Sequence, residues 1–307
     1  FTTFLKIYLF GYFLKFAILF VIQWKNDRFS LAFSVNDLKL KEIFYIFGMK
    51  PKPKKYPWHV LEYDLPTDGL VQYAQWQHPA ESIKPVRQKE VDELRKFLSP
   101  GDVTIDIGAH SGDTAIPMAL AVGTTGCVLA LEPNPYVFPV LEKNSTLNLD
   151  QTHIVPLMFA ATPEPGEFFF EYSDEGFCNG GLHDRISKWR HGHAFRLKVQ
   201  GKHLPTYLEQ NHPDLISKIR FIKVDAEGFD YQVLKSMEQL IAEVKPYIRA
   251  EVFKLSPLEV REEFYDFLIN LRYEVYRIND DLDYSGVKLT KDNLMEMRHY
   301  DIFCIPK

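Results

Sequence analysis

Cysteine is scarce, with three residues in 307, at positions 127, 178 and 304. No spacing among them resembles a zinc site or a disulfide framework. That scarcity fits a reducing, cytosol-facing compartment for the folded part. An excess of positive charge is also missing: the formal net charge is −5, so composition gives no support to a general nucleic-acid role. Internal repeats and low-complexity tracts are absent. So is a Gly-x-Gly-x-x-Gly run after a strand, the pattern by which backbone N–H groups meet a dinucleotide pyrophosphate. Hydrophobic residues make up 46% of the chain, enough for one large α/β domain with extensions or for two small domains.

One long hydrophobic stretch stands apart. Phe1 to Trp24 is nearly all apolar and aromatic, broken by Lys6 and Lys15. Its length suits a bilayer crossing, but Lys15 near the middle would cost roughly 2.5–3.5 kcal/mol. The two lysines fall on opposite faces of a helix, which spoils an amphipathic stripe. The bulky, charged Gln23-Trp-Lys-Asn-Asp-Arg28 is a poor cleavage site for a signal peptide. Three readings stay open: membrane contact through residues 1–24, a helix packed on the protein or a partner, and a targeting segment. Lys50-Pro-Lys-Pro-Lys-Lys55 reads as a solvated linker or as a contact for anionic head groups. The chain opens on Phe1 rather than Met, so a fragment or processed product is expected. The expected organisation is a hydrophobic helical extension (1–28), an N-terminal cover or linker (29–84) and a main domain (85–307).

What the main domain does have is strand–helix alternation. Val103-Thr-Ile-Asp-Ile107 is a β-branched run that reads as a buried strand, followed by Gly108 and Gly112. A helix is expected from Asp113 to Val122, with Asp113 or Ser111 as cap. Further strands are expected at Cys127–Leu131, Ile154–Ala160, Ile219–Asp225, Tyr247–Val252, Tyr273–Ile278 and Asp301–Ile305, with a helix at Tyr231–Leu240. Glu167–Glu171 suggests an edge strand or hairpin. The spacing predicts an α/β fold, a doubly wound, seven-stranded, mostly parallel sheet with right-handed crossovers. A strand, a glycine turn and a helix N-terminus then form a binding crevice at the sheet's carboxyl edge.

The acids at the strand ends say which ligand suits that crevice. Asp106 precedes the first glycine, where an anion would repel a pyrophosphate but suit an amine or a sulfonium. Glu132 ends the second strand, where a carboxylate can accept two ribose hydroxyls. Together they favour S-adenosylmethionine over a pyridine nucleotide. Ile222-Lys-Val-Asp-Ala-Glu-Gly228 adds a lysine and two carboxylates at the end of a buried strand, costly unless paired or used.

At this point the sequence resembles the FkbM family of S-adenosylmethionine-dependent methyltransferases. The matching stretches are Asp106-Ile-Gly-Ala-His-Ser-Gly112, Leu131-Glu-Pro-Asn134, Lys223-Val-Asp-Ala-Glu-Gly228 and Ala250-Glu251. The likeness covers about residues 85–307. It departs before the fourth core strand, where the family usually has a Leu-Asp-Asp-like run and this chain has Leu204-Pro-Thr-Tyr-Leu208. The resemblance implies a Rossmann-like class I methyltransferase fold and methyl transfer to a hydroxyl of a carbohydrate, glycoconjugate or other small metabolite. It implies that Asp106, Gly108, Ala109, His110 and Gly112 hold the methionine part of the cofactor. Glu132 would hold the ribose, with Asn134 and Ala161 near the adenine.

Asp225 is the first candidate for a general base and Glu227 the second; pairing with Lys223 and helix capping is the alternative for both. No metal site is predicted, although a divalent ion between Asp225 and Glu251 is conceivable. The long polar loop from Ser173 to His203, with Trp189, His191 and His193, is expected to cover the acceptor, and Gly180-Gly181 would let it bend. A catalytically silent binding or scaffold protein of the same fold, and an NAD-dependent oxidoreductase, are the competing readings.

Overall fold

The computed structural model describes residues 52–172, 176–178, 180–181, 195–279 and 281–307. The expectations for residues 1–24 and for Trp189, His191 and His193 lie outside these residues. The described chain opens with a hairpin, β1 (Trp58–Leu65) and β2 (Gly69–Trp76), followed by helix α1 (Gln88–Leu94). Then come β3 (Val103–Ile107), α2 (Ala115–Val122), β4 (Cys127–Leu131), α3 (Phe138–Thr146) and β5 (Ile154–Leu157). Four short strands follow, β6 (Ala160–Ala161), β7 (Gly166–Tyr172), β8 (Gly180–Gly181) and β9 (Phe195–Lys202), leading to α4 (Leu204–Asn211) and α5 (Pro213–Ile216). The last part holds β10 (Ile219–Val224), α6 (Asp230–Ser236), α7 (Glu238–Val244), β11 (Tyr247–Val252), α8 (Leu258–Asn270), β12 (Tyr273–Ile278), β13 (Val287–Lys288) and β14 (Tyr300–Pro306).

The central sheet runs β13-β12-β14-β11-β10-β3-β4-β5. β3 and β4 are buried at every position, which explains the β-branched run of one and the continuous apolar run of the other: helices cover both faces. Alternate residues feed different cores. Val103, Ile105 and Ile107 join one cluster with Leu129 and Leu131, while Val128 and Ala130 join the other with the wholly buried α2. β14 is inserted antiparallel between β11 and β12. The result is a doubly wound, Rossmann-like, mostly parallel sheet. It has eight strands where seven were expected, because the two-residue β13 adds an edge beside β12.

Three local expectations are revised and one helix is added. The stretch Ile154–Ala160 divides: β5 ends at Leu157, and Ala160–Ala161 joins a separate sheet of order β6-β9-β7-β8. Pro156 is tolerated because β5 is an edge strand. Helix α2 starts at Ala115 with no side-chain cap, since the Thr114 hydroxyl donates to Asp106 and Asp113 pairs with Lys84. The helix at 231–240 is two helices broken at Met237. Finally, Leu204–Asn211 is a helix with Pro205 in its first turn.

The hairpin is fastened to the domain by two asparagine side chains. Asn148 accepts from Gln72 N and donates to Gln72 O, both at 2.8 Å. Asn144 does the same for Ala74, at 2.6 and 3.0 Å, and also donates to Ser111 O at 2.7 Å. Each amide therefore stands in for a residue of a neighbouring strand along the open edge of β2. Among the described residues, no helix is long and apolar enough to cross a membrane.

Candidate active site

The crevice forms where β3, β4 and β10 end together. Gly108 (φ +79°) packs so closely on β10 that a Cβ there would lie 2.1 Å from the Asp225 carbonyl oxygen, so only glycine fits the turn. Gly108 and Ala109 both donate their N–H groups to Leu131 O, at 3.0 and 2.9 Å, and Asp225 N donates to Ile107 O at 3.0 Å. These bonds lock the three strand ends to one another. His110 has a positive φ of 48°, which turns its N–H toward Glu132 Oε2 at 2.9 Å. Glu132 Oε1 accepts from Asn134 N at 2.8 Å. Burial pushes the Glu132 carboxyl upward, and the two backbone bonds and nearby His110 act against that shift.

A cavity of about 410 Å³ opens above these ends, within the usual size range of small-molecule sites. Of the residues expected from the sequence, Gly108, His110, Glu132, Asn134, Ala161, Asp225 and Glu227 line it. Asp106, Ala109 and Gly112 do not. The Asp106 side chain is fully buried beneath the wall, 3.1 Å from Lys223 Nζ, and its other oxygen accepts from Thr114 Oγ1 at 2.6 Å. Ala109 is buried in the core beside α2, and a Cβ on Gly112 (φ +96°) would press on Leu141 at 3.1 Å. Gly112 thus lets α3 approach rather than facing a ligand. Asn134 lines the wall but uses its amide to hold loops: Nδ2 donates to Phe177 O and Oδ1 accepts from Tyr136 N.

Buried charge dominates the floor. Lys223 Nζ also bonds Gly108 O at 3.1 Å and lies 3.6 Å from Asp225 Oδ2. Burial works against its ammonium, but Asp106 and Asp225 more than offset this and raise its pKa. Glu227, in the left-handed region at φ 51°, is pushed up by burial and by Asp225 beside it. Glu251, in contrast, lines a different and smaller cavity and pairs with His299 at 3.1 Å. Asp225 and Glu251 thus line different cavities, although they lie close enough for Asp225 to raise the Glu251 carboxyl.

Sequence reasoning missed several wall residues. Glu81 and Lys84 follow the hairpin, Phe170, Tyr172 and Cys178 come from the second sheet and its loop, and Arg249 and Asp281 reach in from the far side. Lys84 pairs with Asp113 at 3.1 Å and Glu81 at 3.4 Å. No local pattern marks these positions, because long-range packing brings them to the rim.

Comparison with known proteins bears on what this crevice serves. A hexuronic acid methyltransferase, AglP of Haloferax volcanii, is 27% identical over 199 residues, which span 64% of this chain and 75% of that protein. Among solved structures, an FkbM methyltransferase from Methylobacillus flagellatus aligns at 14% identity with a TM-score of 0.38, over 67% of this chain and 44% of that one. Aeropyrum pernix fibrillarin with bound S-adenosylmethionine aligns at 13% identity with a TM-score of 0.39, over 83% of this chain and 97% of that one. The family described as the methyltransferase FkbM domain matches residues 106–278. That match takes in more than half of the chain and every strand end that forms the cavity floor; the chain belongs to the FkbM methyltransferase family.

Proposed function

We propose that the cavity binds S-adenosylmethionine and that the protein methylates a hydroxyl on a carbohydrate or glycoconjugate. One observation carries the cofactor reading: Glu132 sits on the cavity wall with both oxygens already fixed by backbone N–H groups. Each oxygen keeps a second lone pair, and an adjacent diol such as a ribose can fill both. Such donors would also relieve the burial cost that raises this carboxyl. The Gly108 turn and His110 would hold the methionine part, with Asp106 acting from behind by fixing Lys223 and Thr114. Ala161 and Phe159 supply apolar wall for a purine.

When bound, the cofactor supplies an electrophilic methyl group on a sulfonium. Most of what the chain then does is alignment, which can supply a large part of a displacement's acceleration. The acceptor hydroxyl must also lose its proton as the new C–O bond forms. Asp225 and Glu227 are both exposed at the cavity edge; Glu227 is the better base, because partial desolvation and the neighbouring Asp225 raise its carboxyl. Asp225 is half-exposed and faces Lys223, so it orients the acceptor and keeps Glu227 proton-hungry. A carbohydrate acceptor is supported by AglP, whose own substrate is a hexuronic acid.

The test is calorimetry with S-adenosylmethionine, followed by transfer of labelled methyl to a panel of sugars, uronic acids, lipids and peptides. Glu132→Ala should weaken cofactor binding at least 10-fold. Glu227→Gln should lower kcat by about 10²–10⁴-fold with cofactor affinity nearly unchanged. An unaltered kcat in Glu227→Gln removes the base assignment, and absence of cofactor binding removes the reading altogether.

A further inference from the structure

Three side chains with metal-ligating atoms meet on the cavity wall although they come from distant segments. They are Glu81 after the hairpin, His110 in the turn after β3, and Cys178 after β7; their ligand atoms all lie within 4.8 Å of one another. Cys178 Sγ is 3.6 Å from Glu81 Oε2, and His110 Nε2 is 3.9 Å from the same oxygen. A tetrahedral zinc ion with its usual bond lengths needs S···O edges of about 3.5 Å and N···O edges of about 3.3 Å. The first edge is already in place. The second needs a movement of roughly half an ångström, within the reach of a side-chain rotation.

Two further features point to a cation. The Glu81 side chain is only 7% exposed, and its Oε1 has Lys84 Nζ at 3.4 Å, while among the described residues its Oε2 faces only the Cys178 thiol and the His110 imidazole, weak partners for a buried carboxylate oxygen. Asp113 and Glu132 share the same wall, and the nearby Lys84 is divided between Asp113 at 3.1 Å and Glu81 at 3.4 Å. The cysteine is also held in place rather than loosely near. Gly176 approaches His78 so closely that a Cβ would lie 2.1 Å from its Nε2. Phe177 stacks on Tyr136 at 4.3 Å and accepts the Asn134 amide at 2.7 Å. Glu81 N in turn donates to His78 O at 3.0 Å. The segment bearing Cys178 and the segment bearing Glu81 are thus anchored to the same histidine.

We propose that Glu81, His110 and Cys178 form a three-ligand divalent-cation site suited to Zn²⁺. A thiolate with an imidazole selects zinc over magnesium or calcium, which take oxygen ligands. Three protein ligands leave a fourth position for water or a bound molecule, as in zinc sites that act on ligands. Because all three residues line the cavity, that position opens onto the space where the acceptor or cofactor sits.

The full-length protein, without a polyhistidine tag and stripped with chelator, is titrated with Co²⁺. The expected result is one equivalent bound with a near-ultraviolet sulfur-to-cobalt band and intense tetrahedral visible bands, displaced by Zn²⁺. Cys178→Ser should abolish the sulfur band, and His110→Gln and Glu81→Gln should each weaken binding at least about 100-fold. Cys127→Ser, which alters a buried strand cysteine, should leave the band intact. Thermal unfolding of each variant shows whether it is folded. Should Cys178→Ser fail to fold, protection of Cys178 from alkylation by Zn²⁺ in the unaltered protein gives the same answer. Absence of a sulfur band, its persistence in a folded Cys178→Ser protein, or alkylation unaffected by Zn²⁺ overturns the proposal. None of these readouts depends on methyl transfer.

Discussion

Replacing Lys223 by methionine tests how the floor of the crevice is held. Methionine keeps the length of the side chain and removes its charge. Lys223 is 4% exposed and Asp106 not at all, so the substitution leaves Asp106 buried with only the Thr114 hydroxyl as donor. Breaking a buried ion pair from one side costs about 3–5 kcal/mol. The reverse change, Asp106→Asn, is milder. Lys223 keeps Asp225 at 3.6 Å and the Gly108 carbonyl at 3.1 Å, so about 1–3 kcal/mol is expected. The double variant carries neither buried charge of the pair. It should be more stable than the sum of the single losses predicts, with a coupling of about 1–3 kcal/mol. Urea denaturation of the four proteins at pH 7, with slopes held equal, gives all terms of the cycle. Additivity within about 0.5 kcal/mol, or a Lys223→Met cost below about 1 kcal/mol, would refute the view that this pair clamps β3 to β10.

Gly108→Ala should destroy cofactor binding while the sheet stays folded, because the new methyl group would meet backbone at 2.1 Å in a left-handed turn; calorimetry showing unchanged affinity would sink the proposed role of that turn. Asn144→Ala should cost about 2–4 kcal/mol, since it orphans Ala74 N, Ala74 O and Ser111 O together. Limited proteolysis should then cut first near the hairpin. Glu251 is pushed up to about 8 by burial and by the adjoining carboxylates of Asp230 and Asp225. Its contribution to stability is therefore full below the unfolded pKa of about 4.3 and is lost as pH rises through 8. Glu251→Gln should accordingly gain on the unaltered protein by a few kcal/mol between pH 5 and 9, read as diverging urea midpoints; parallel curves would contradict the assignment.

The parts of the fold legible in the sequence are those whose environment is uniform. β3, β4 and β10 lie between two helical layers, so nearly every position is buried and β-branched or apolar residues dominate. The second sheet was legible only in part: Glu167–Glu171 reads as an edge strand, but its pairing does not. β7 pairs with β9 across a long polar connection, and Ala160–Ala161, which look like the tail of β5, pair instead with Gly201–Lys202. Two-residue pairings carry no periodicity of their own. The helix Leu204–Asn211 carries a local signal, Pro205 in its first turn. Glu81 and Lys84 had none, because their position depends on Asn144 and Asn148 seating the hairpin on α3 and the residues just after it.

The strand-end acids show where sequence logic reached the site and where it stopped. A carboxylate at a strand tip next to glycine is visible at once, and Glu132 does line the cavity. Asp106 has the same appearance and lies under the wall. What separates them is register. β3 and β10 are parallel neighbours, and Lys223 stands directly opposite Asp106, so both side chains leave the sheet on one face and neutralise each other. Glu132 has no lysine opposite; it lies one residue beyond β4, where the chain turns, and only backbone N–H groups reach it. A cation at matching depth on an adjacent strand therefore marks an acid as structural, whereas an acid just past its strand with no such partner keeps lone pairs for a ligand. By this criterion Asp225 is intermediate, since it lies one residue past β10, 3.6 Å from the same lysine, and remains half-exposed. Glu227, two residues further and with no ion pair among the described residues, is the carboxylate on this edge to which the proposed mechanism gives the proton.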